Sequence, residues 1–232
     1  MTRVIILATV FLAGAALMSM EMASFRLVQP EFGSDIIVWG SLISVFLVGL
    51  ALGAYGGGRL ADLGPAMWKL GAVLAVAGLV TLSIPLYAHA VLDWVYPGQG
   101  APLPTEWKES GAAASAPASA DSTKLSVYEP PDLRWPTLGA GAILFALPSI
   151  LLGMVCPYAA RLLIHEMPHL GQGVGQISAL STAGCILGTL GTAFYLVAWM
   201  GTVWLLVANG LVLVGLGVML ALGHLAARPR RN

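Results

Sequence analysis

Residues 40–57 read GSLISVFLVGLALGAYGG, and residues 175–192 read GQISALSTAGCILGTLGT. Both stretches are largely apolar, carry no charged residue and have glycines at matching places. A displacement of 135 residues superposes Gly40, Gly49, Leu52, Gly53 and Gly56 on Gly175, Gly184, Leu187, Gly188 and Gly191. Because about 20 mainly apolar residues are enough to cross the hydrocarbon core as a helix, the pattern predicts two related membrane-spanning helices.

The composition of the whole chain points to a membrane protein. Of its 232 residues, 58% are hydrophobic and 9% are charged, whereas ordinary soluble domains have about 25% charged residues. The 11 basic and 11 acidic side chains cancel, so there is no net charge to attract a nucleic acid. Two cysteines are too few for a disulfide scaffold.

Hydropathy predicts six transmembrane helices, which we call spans 1 to 6. Their expected bounds are Val4–Phe25, Ile36–Tyr55, Ala66–Leu92, Pro136–Tyr158, Gly173–Trp199 and Thr202–Leu225. Only Met200 and Gly201 separate spans 5 and 6, which predicts an antiparallel helical hairpin. Span 1 could instead be a cleaved signal peptide, since Arg3 precedes an apolar run, but that run continues to Met20 and favours a span.

The spans divide the chain into four parts. A first three-helix repeat covers residues 1–92, an extracytoplasmic loop 93–135, a second three-helix repeat 136–225 and a basic tail 226–232. The loop contains GAAASAPASADS at 111–122, which has too little apolar bulk to fold alone; it is a flexible connector or a docking loop. Because Lys and Arg of short loops concentrate on one side, both termini are expected in the cytoplasm.

The repeat extends to charged residues. Arg26-Leu27 with Glu31 recurs as Arg161-Leu162 with Glu166, again 135 residues later. Since each half has three spans, the second half must be inverted in the membrane. The sequence therefore predicts an all-α protein made of two inverted three-helix repeats, resembling half of a major-facilitator transporter. Spans 3 and 6 show no convincing match at this displacement.

The repeated glycines predict close helix packing. Gly49, Gly53 and Gly57 lie four residues apart on one face of span 2, and Gly184 and Gly188 do so on span 5. Such faces let helix backbones approach closely in lipid. We expect spans 2 and 5 to form the packed centre, paired with each other or with a second copy of the chain.

Glu21 is the candidate substrate or ion site. It is expected in or near the outer third of span 1, where a carboxylate is costly and usually functional. It is a cation or proton site or, alternatively, a structural hydrogen-bond anchor. Arg26 and Arg161 are further candidates, although each can simply reach its own membrane interface. Arg26 is rotated about 140° from Glu21 on an ideal helix, so we expect no direct pair.

No residues predict a metal, a cofactor or catalysis. Alternating Met18, Met20 and Met22 do not share a helix face. Cys156 and Cys185 lie inside spans and are expected to behave as small hydrophobic residues. His165 and His169 are four residues apart, but Pro168 interrupts a helix between them. There is no nucleotide-binding glycine loop, so the chain is not expected to be an enzyme by itself.

Several short motifs follow one another in a definite order. They are E-x-x-x-x-R at 21–26, F-G-S at 32–34, G-L-A-L-G at 49–53, G-R-L-A-D at 58–62, P-x-x-x-L-G-M-x-x-P at 148–157 with Arg161, and G-x-x-L-G-T at 184–189. In this order they resemble the membrane domain of fused transporter/spermidine-synthase proteins, over nearly all six spans. Where that family has an asparagine before its glycine helix, this chain has Ser181 or Thr182.

The resemblance concerns the membrane domain of that family and not its soluble synthase domain. It implies a bacterial inner-membrane component of a polyamine-synthase-like system that anchors a cytoplasmic aminopropyltransferase-like partner and transports a cationic amine. Glu21 would attract the cation, Arg26 and Arg161 would gate or brace the two faces, and Arg59 and Asp62 would belong to the motif loop. A homodimer through the glycine faces is expected. The alternatives are a structural scaffold without transport and an exporter of an unrelated small molecule.

Overall fold

The computed structural model describes residues 2–95, 134–164 and 170–226. The regular structure of these residues is helical, and it contains six helices that are long and apolar enough to cross a membrane. The predicted all-α fold with six spans is therefore confirmed, and the chain is a multi-pass membrane protein.

Most of the spans extend beyond their apolar cores. Spans 1, 2, 3 and 6 are helices over Thr2–Phe32, Ile36–Asp62, Met67–Val95 and Thr202–Ala226. Span 4 consists of two helices, Arg134–Gly153 and Val155–Ile164. Span 5 consists of a helix over Leu170–Gly191, a π-helical turn over Thr192–Leu196 and a short helix over Val197–Trp199. Hydropathy marks only the part of a helix that lipid surrounds, so it places the ends of spans 1 and 2 seven residues too early.

A tight turn connects spans 1 and 2. Gly33 has a φ of +78°, which glycine adopts without steric cost, and its N–H donates to the Gln29 carbonyl at 2.8 Å. Asp35 then caps span 2, since its side chain accepts a hydrogen bond from the Ile36 N–H at 2.6 Å. The turn reverses the chain at the end of the bundle opposite the N-terminus.

Span 4 is interrupted at Met154. Pro157 follows in the next turn, and because proline has no N–H it cannot continue the hydrogen-bond ladder of the helix. The Met154 N–H is shared between the carbonyls of Ile150 and Leu151, at 3.2 and 3.3 Å.

The six spans pack mainly in three pairs: span 1 with span 5, span 2 with span 4, and span 3 with span 6. The expectation that spans 2 and 5 pair with each other is therefore wrong. Span 4 covers the glycine face of span 2, and span 1 covers that of span 5. The two-residue connection at 200–201 is present, but spans 5 and 6 turn to different partners instead of packing closely together.

The glycine contacts recur in the two halves with one register. In the pairing of span 2 with span 4, Gly49 lies against Ala146, Gly53 against Ile150 and Gly57 against Met154. In the pairing of span 5 with span 1, Gly184 lies against Phe11, Gly188 against Ala15 and Thr192 against Ser19. Both partners of each contact are 135 positions apart from their counterparts. The displacement found in the sequence thus also relates the packing.

Spans 3 and 6 follow a slightly different register. Gly71 lies against Gly217, and Gly78 lies against Gly210. A displacement of 139 residues carries Gly71 onto Gly210 and Gly78 onto Gly217. The residues of one contact are thus the counterparts of those of the other. A comparison at 135 misses this match because the register differs by four residues, about one helical turn.

Candidate functional site

Glu21 lies in the second half of the helix of span 1. The helix of span 1 covers Thr2–Phe32, so Glu21 stands four residues beyond its midpoint at Leu17, about 6 Å along the axis. The neighbouring Met20 is 1% exposed, and its Sδ lies 3.8 Å from the hydroxyl of Thr81, at the centre of span 3. Relative to the helix ends, Glu21 therefore lies at the inner edge of the outer third of span 1.

The carboxylate of Glu21 has no protein partner among the residues that the structure describes. It is half-buried, and no side chain in those ranges forms a hydrogen bond or an ion pair with it. One turn further along span 1, Phe25 stacks on Trp39 of span 2, with ring centroids 4.0 Å apart. Because an ionised side chain inside a membrane is costly without a partner, Glu21 is suited to bind a cation or a proton.

The structure does not bring the candidate arginines to Glu21. Arg26 is exposed towards the far end of span 1. Arg161 lies near the opposite end of the bundle, where its Nε is 3.5 Å from Oδ1 of Asp62. The side chains of Arg161 and Asp62 are 46% and 71% exposed, so the pair contributes little stability. The three predicted site residues therefore occupy three separate places.

Charged residues of four spans gather at one end of the molecule, which we call the basic end. They are Arg3, Arg59, Lys69 and Arg161. The Arg59 guanidinium lies over the Tyr55 ring, 4.4 Å from its centroid, and the Lys69 ammonium donates to the Leu63 and Gly64 carbonyls. The motif residues Arg59 and Asp62 thus lie at this surface, whereas Glu166, His165 and His169 are outside the described residues.

A buried polar cluster joins spans 1, 5 and 6. The Ser19 hydroxyl accepts hydrogen bonds from Oγ1 of Thr192 at 2.8 Å and from Nδ2 of Asn209 at 2.9 Å. All three residues are less than 9% exposed, and Thr192 begins the π-helical turn, a feature common near functional sites. The sequence pattern alone does not single out Ser19. One sequence signal could have indicated the cluster. At the displacement of 135 residues, Thr192 stands where the first half has Gly57.

The cysteines and small polar residues of spans 4 and 5 form no metal site. The Cys156 thiol donates to Oγ of Ser181 at 3.3 Å, and Cys185 is a free thiol. Within the described ranges, no group of three or more His, Cys, Asp or Glu residues could hold a metal ion. Of the two residues that stand where the resembled family has asparagine, Ser181 contacts span 4, whereas Thr182 donates to its own helix.

No family model, curated protein or solved structure matches this chain. The distinctive group of the described residues is the carboxylate of Glu21, which is half-buried on a membrane-spanning helix. Such a group can attract a positive charge, or exchange a proton, within the membrane.

Proposed function

We propose that this protein is the membrane component of a polyamine-synthase-like system and that it transports a small organic cation. The observation that carries the proposal is the half-buried Glu21 carboxylate, which has no ion-pair partner in the described parts of the chain. A positively charged amine would supply the missing charge. The ordered motifs from Glu21 to Asp62 favour an amine as substrate.

We further propose that the two halves are inverted repeats. The common register of the glycine contacts supports this relation, since contacts between spans 2 and 4 recur between spans 5 and 1. Secondary transporters built from inverted repeats bind substrates near the membrane midplane, between the repeats. The helix that carries Glu21 does contact the second half, since its Ser19 hydroxyl bonds to Thr192 and Asn209, although the Glu21 side chain points about 160° away from that of Ser19 on an ideal helix.

The proposed setting is a bacterial inner membrane with both termini in the cytoplasm. The basic end supports this orientation, because Lys and Arg accumulate on the cytoplasmic side of membrane proteins. It would face a soluble aminopropyltransferase-like partner, which the motif resemblance implies. The exposed side chains of Arg59 and Asp62 offer such a partner a charged surface.

A second copy of the chain is proposed to cover span 5. Only 17% of the most apolar window of span 5 is buried, against 33–50% in the other spans. Beside large apolar side chains such as Leu187 and Phe194, its exposed surface has a row of small and polar residues, namely Gly171, Gly175, Ser178 and Thr182. A Cβ added to Gly171 or Gly175 would meet no atom within 4 Å. Gly184 and Gly188 already contact span 1 and are not free for a second copy. The candidate dimer contact is therefore this open face of span 5.

Native purification tests both proposed partners. We expect light scattering in mild detergent to give the protein mass of two chains of 24.1 kDa, and Gly175→Leu to reduce it to one. Gly40→Leu, on span 2, is the matched control.

We also expect a soluble aminopropyltransferase to be retained by the purified chain. A monomeric wild type would contradict the dimer, and a lack of retention would contradict the anchoring role.

Uptake by proteoliposomes tests the transport function. We expect wild-type protein to carry radiolabelled spermidine or putrescine across the membrane, and Glu21→Gln to reduce the initial rate by at least about tenfold, because the amide cannot neutralise an amine. Glu31→Gln removes the same charge from the far end of the same helix and should leave at least about half of the rate. Melting curves of both variants check that a lower transport rate does not result from a loss of thermal stability.

The alternatives give different results in the same assay. A structural scaffold would show no uptake even with wild-type protein, although it would still bind its partner. An exporter of an unrelated small molecule would show no polyamine uptake but would discharge a proton gradient when its own substrate is supplied. Wild-type rates in Glu21→Gln would end the assignment of Glu21 as the cation site.

A further inference from the structure

A groove opens between spans 1 and 5 at the basic end of the bundle. Its volume is about 670 Å³. Apolar side chains form its walls and two polar side chains lie at its mouth, and its lining is Val4, Leu7, Ala179 and Leu180 with Arg3 and Gln176. The groove therefore has a long apolar part within the membrane and a cation at the membrane surface.

Arg3 has no acidic partner among the described residues. Its guanidinium donates one hydrogen bond to Oε1 of Gln176, at 2.7 Å, which fixes its position without neutralising its charge. A guanidinium has five N–H donors in a planar arrangement. Most of them remain available at the mouth of the groove, and they suit the oxygens of a phosphate group.

The repeat shows that the fold itself does not require this charge. A second groove, of about 330 Å³, lies between spans 2 and 4 and includes Leu138 and Ala142. These two residues correspond to Arg3 and Leu7 at the displacement of 135, so the same place in the other half carries leucine. Of these two grooves, the one at the basic end has an arginine at this place and the other has a leucine.

We propose that the groove between spans 1 and 5 binds an anionic phospholipid. Arg3, held by Gln176, binds the phosphate of the headgroup, and one acyl chain lies along Val4, Leu7 and Leu180. Basic pockets between transmembrane helices recognise anionic lipid headgroups in this way. A soluble phosphate would leave the apolar walls without a ligand, so the occupant is a lipid. This inference does not depend on transport by the protein.

Lipid binding to the purified full chain tests the proposal. Native mass spectrometry would compare phosphatidylglycerol with phosphatidylcholine of the same acyl chains, added to protein in mild detergent. We expect wild type to prefer phosphatidylglycerol by about fivefold, the factor that corresponds to about 1 kcal/mol for one arginine near a membrane surface. Arg3→Gln should abolish the preference, whereas Arg26→Gln, which removes a charge from the other end of span 1, should keep it.

Two further arms separate the headgroup from the acyl chain. Leu180→Ser should weaken binding of both lipids by a similar factor, because it changes the apolar wall and not the cation. Inorganic phosphate at 10-fold excess over lipid should not displace phosphatidylglycerol. A preference that persists in Arg3→Gln would overturn the proposal, as would equal loss in Arg26→Gln or displacement by inorganic phosphate.

Discussion

Replacement of Gly53 or Gly188 by alanine is expected to destabilise the protein by about 1–3 kcal/mol, the usual cost of overpacking a well-packed interior. A Cβ at Gly53 would overlap the carbonyl oxygen of Ile150, and one at Gly188 would overlap that of Ala15. The obstacle in both cases is the backbone of a neighbouring helix, which cannot rotate away. The helices of the pair must move apart, and contacts along the whole seam are lost.

Gly40→Ala and Gly175→Ala are the matched controls. They are related by the same displacement of 135, and a Cβ at either position meets no atom within 4 Å. Because alanine favours helix over glycine, these variants should melt at or slightly above the wild-type temperature. Thermal unfolding in mild detergent, followed by circular dichroism, measures the difference. Melting of Gly53→Ala at the temperature of Gly40→Ala would contradict the described packing of spans 2 and 4.

Tyr158→Phe is expected to destabilise the protein by about 1 kcal/mol, the usual net contribution of a hydrogen bond to stability. Tyr158 is 1% exposed. Its hydroxyl accepts a hydrogen bond from the Ala66 N–H at 2.9 Å and donates one to the Ala66 carbonyl at 3.1 Å. It thereby ties span 4 to the beginning of span 3. Phenylalanine fills the same space but leaves the Ala66 N–H without its partner, whereas the Ala66 carbonyl still accepts from the Lys69 N–H at 3.1 Å.

Tyr195→Phe is the control, since Tyr195 is 71% exposed and its loss of a hydroxyl should change the melting temperature little. Hydrogen–deuterium exchange gives a second, local measurement. In Tyr158→Phe the amide of Ala66 should exchange faster, whereas amides in the middle of span 3 should not. Unchanged exchange at Ala66 would show that the hydroxyl does not hold the loop.

The sequence was sufficient for the six spans because length and hydropathy determine whether a helix crosses a membrane. It was not sufficient for their partners. The glycines of span 2 show that some backbone approaches closely, but Gly53 contains no information about whether that backbone is Ile150 of span 4 or belongs to span 5. That choice depends on how all six helices fill the bundle, which a displacement within one sequence does not describe.

The candidate site was predicted in part for a similar reason. Glu21 is recognisable because a carboxylate is rare in an apolar run, but its place between the helix ends depends on the continuation of the helix to Phe32. Ser19 is inconspicuous in sequence, since a single hydroxyl is common in transmembrane helices. Its importance comes from Thr192 and Asn209, which are distant along the chain and meet it only in the folded bundle.

The pairing of each span in the first half with a span in the second bears on biosynthesis. Helices enter a membrane in the order in which the ribosome makes them, so spans 1 to 3 are inserted before their main partners exist. Span 2 precedes its partner, span 4, by two spans, and span 3 precedes span 6 by three. Span 1 precedes span 5 by four spans, the longest interval of the three pairs. Until span 6 has been synthesised, lipid or the insertion machinery must cover the helix surfaces that these pairs bury in the finished protein.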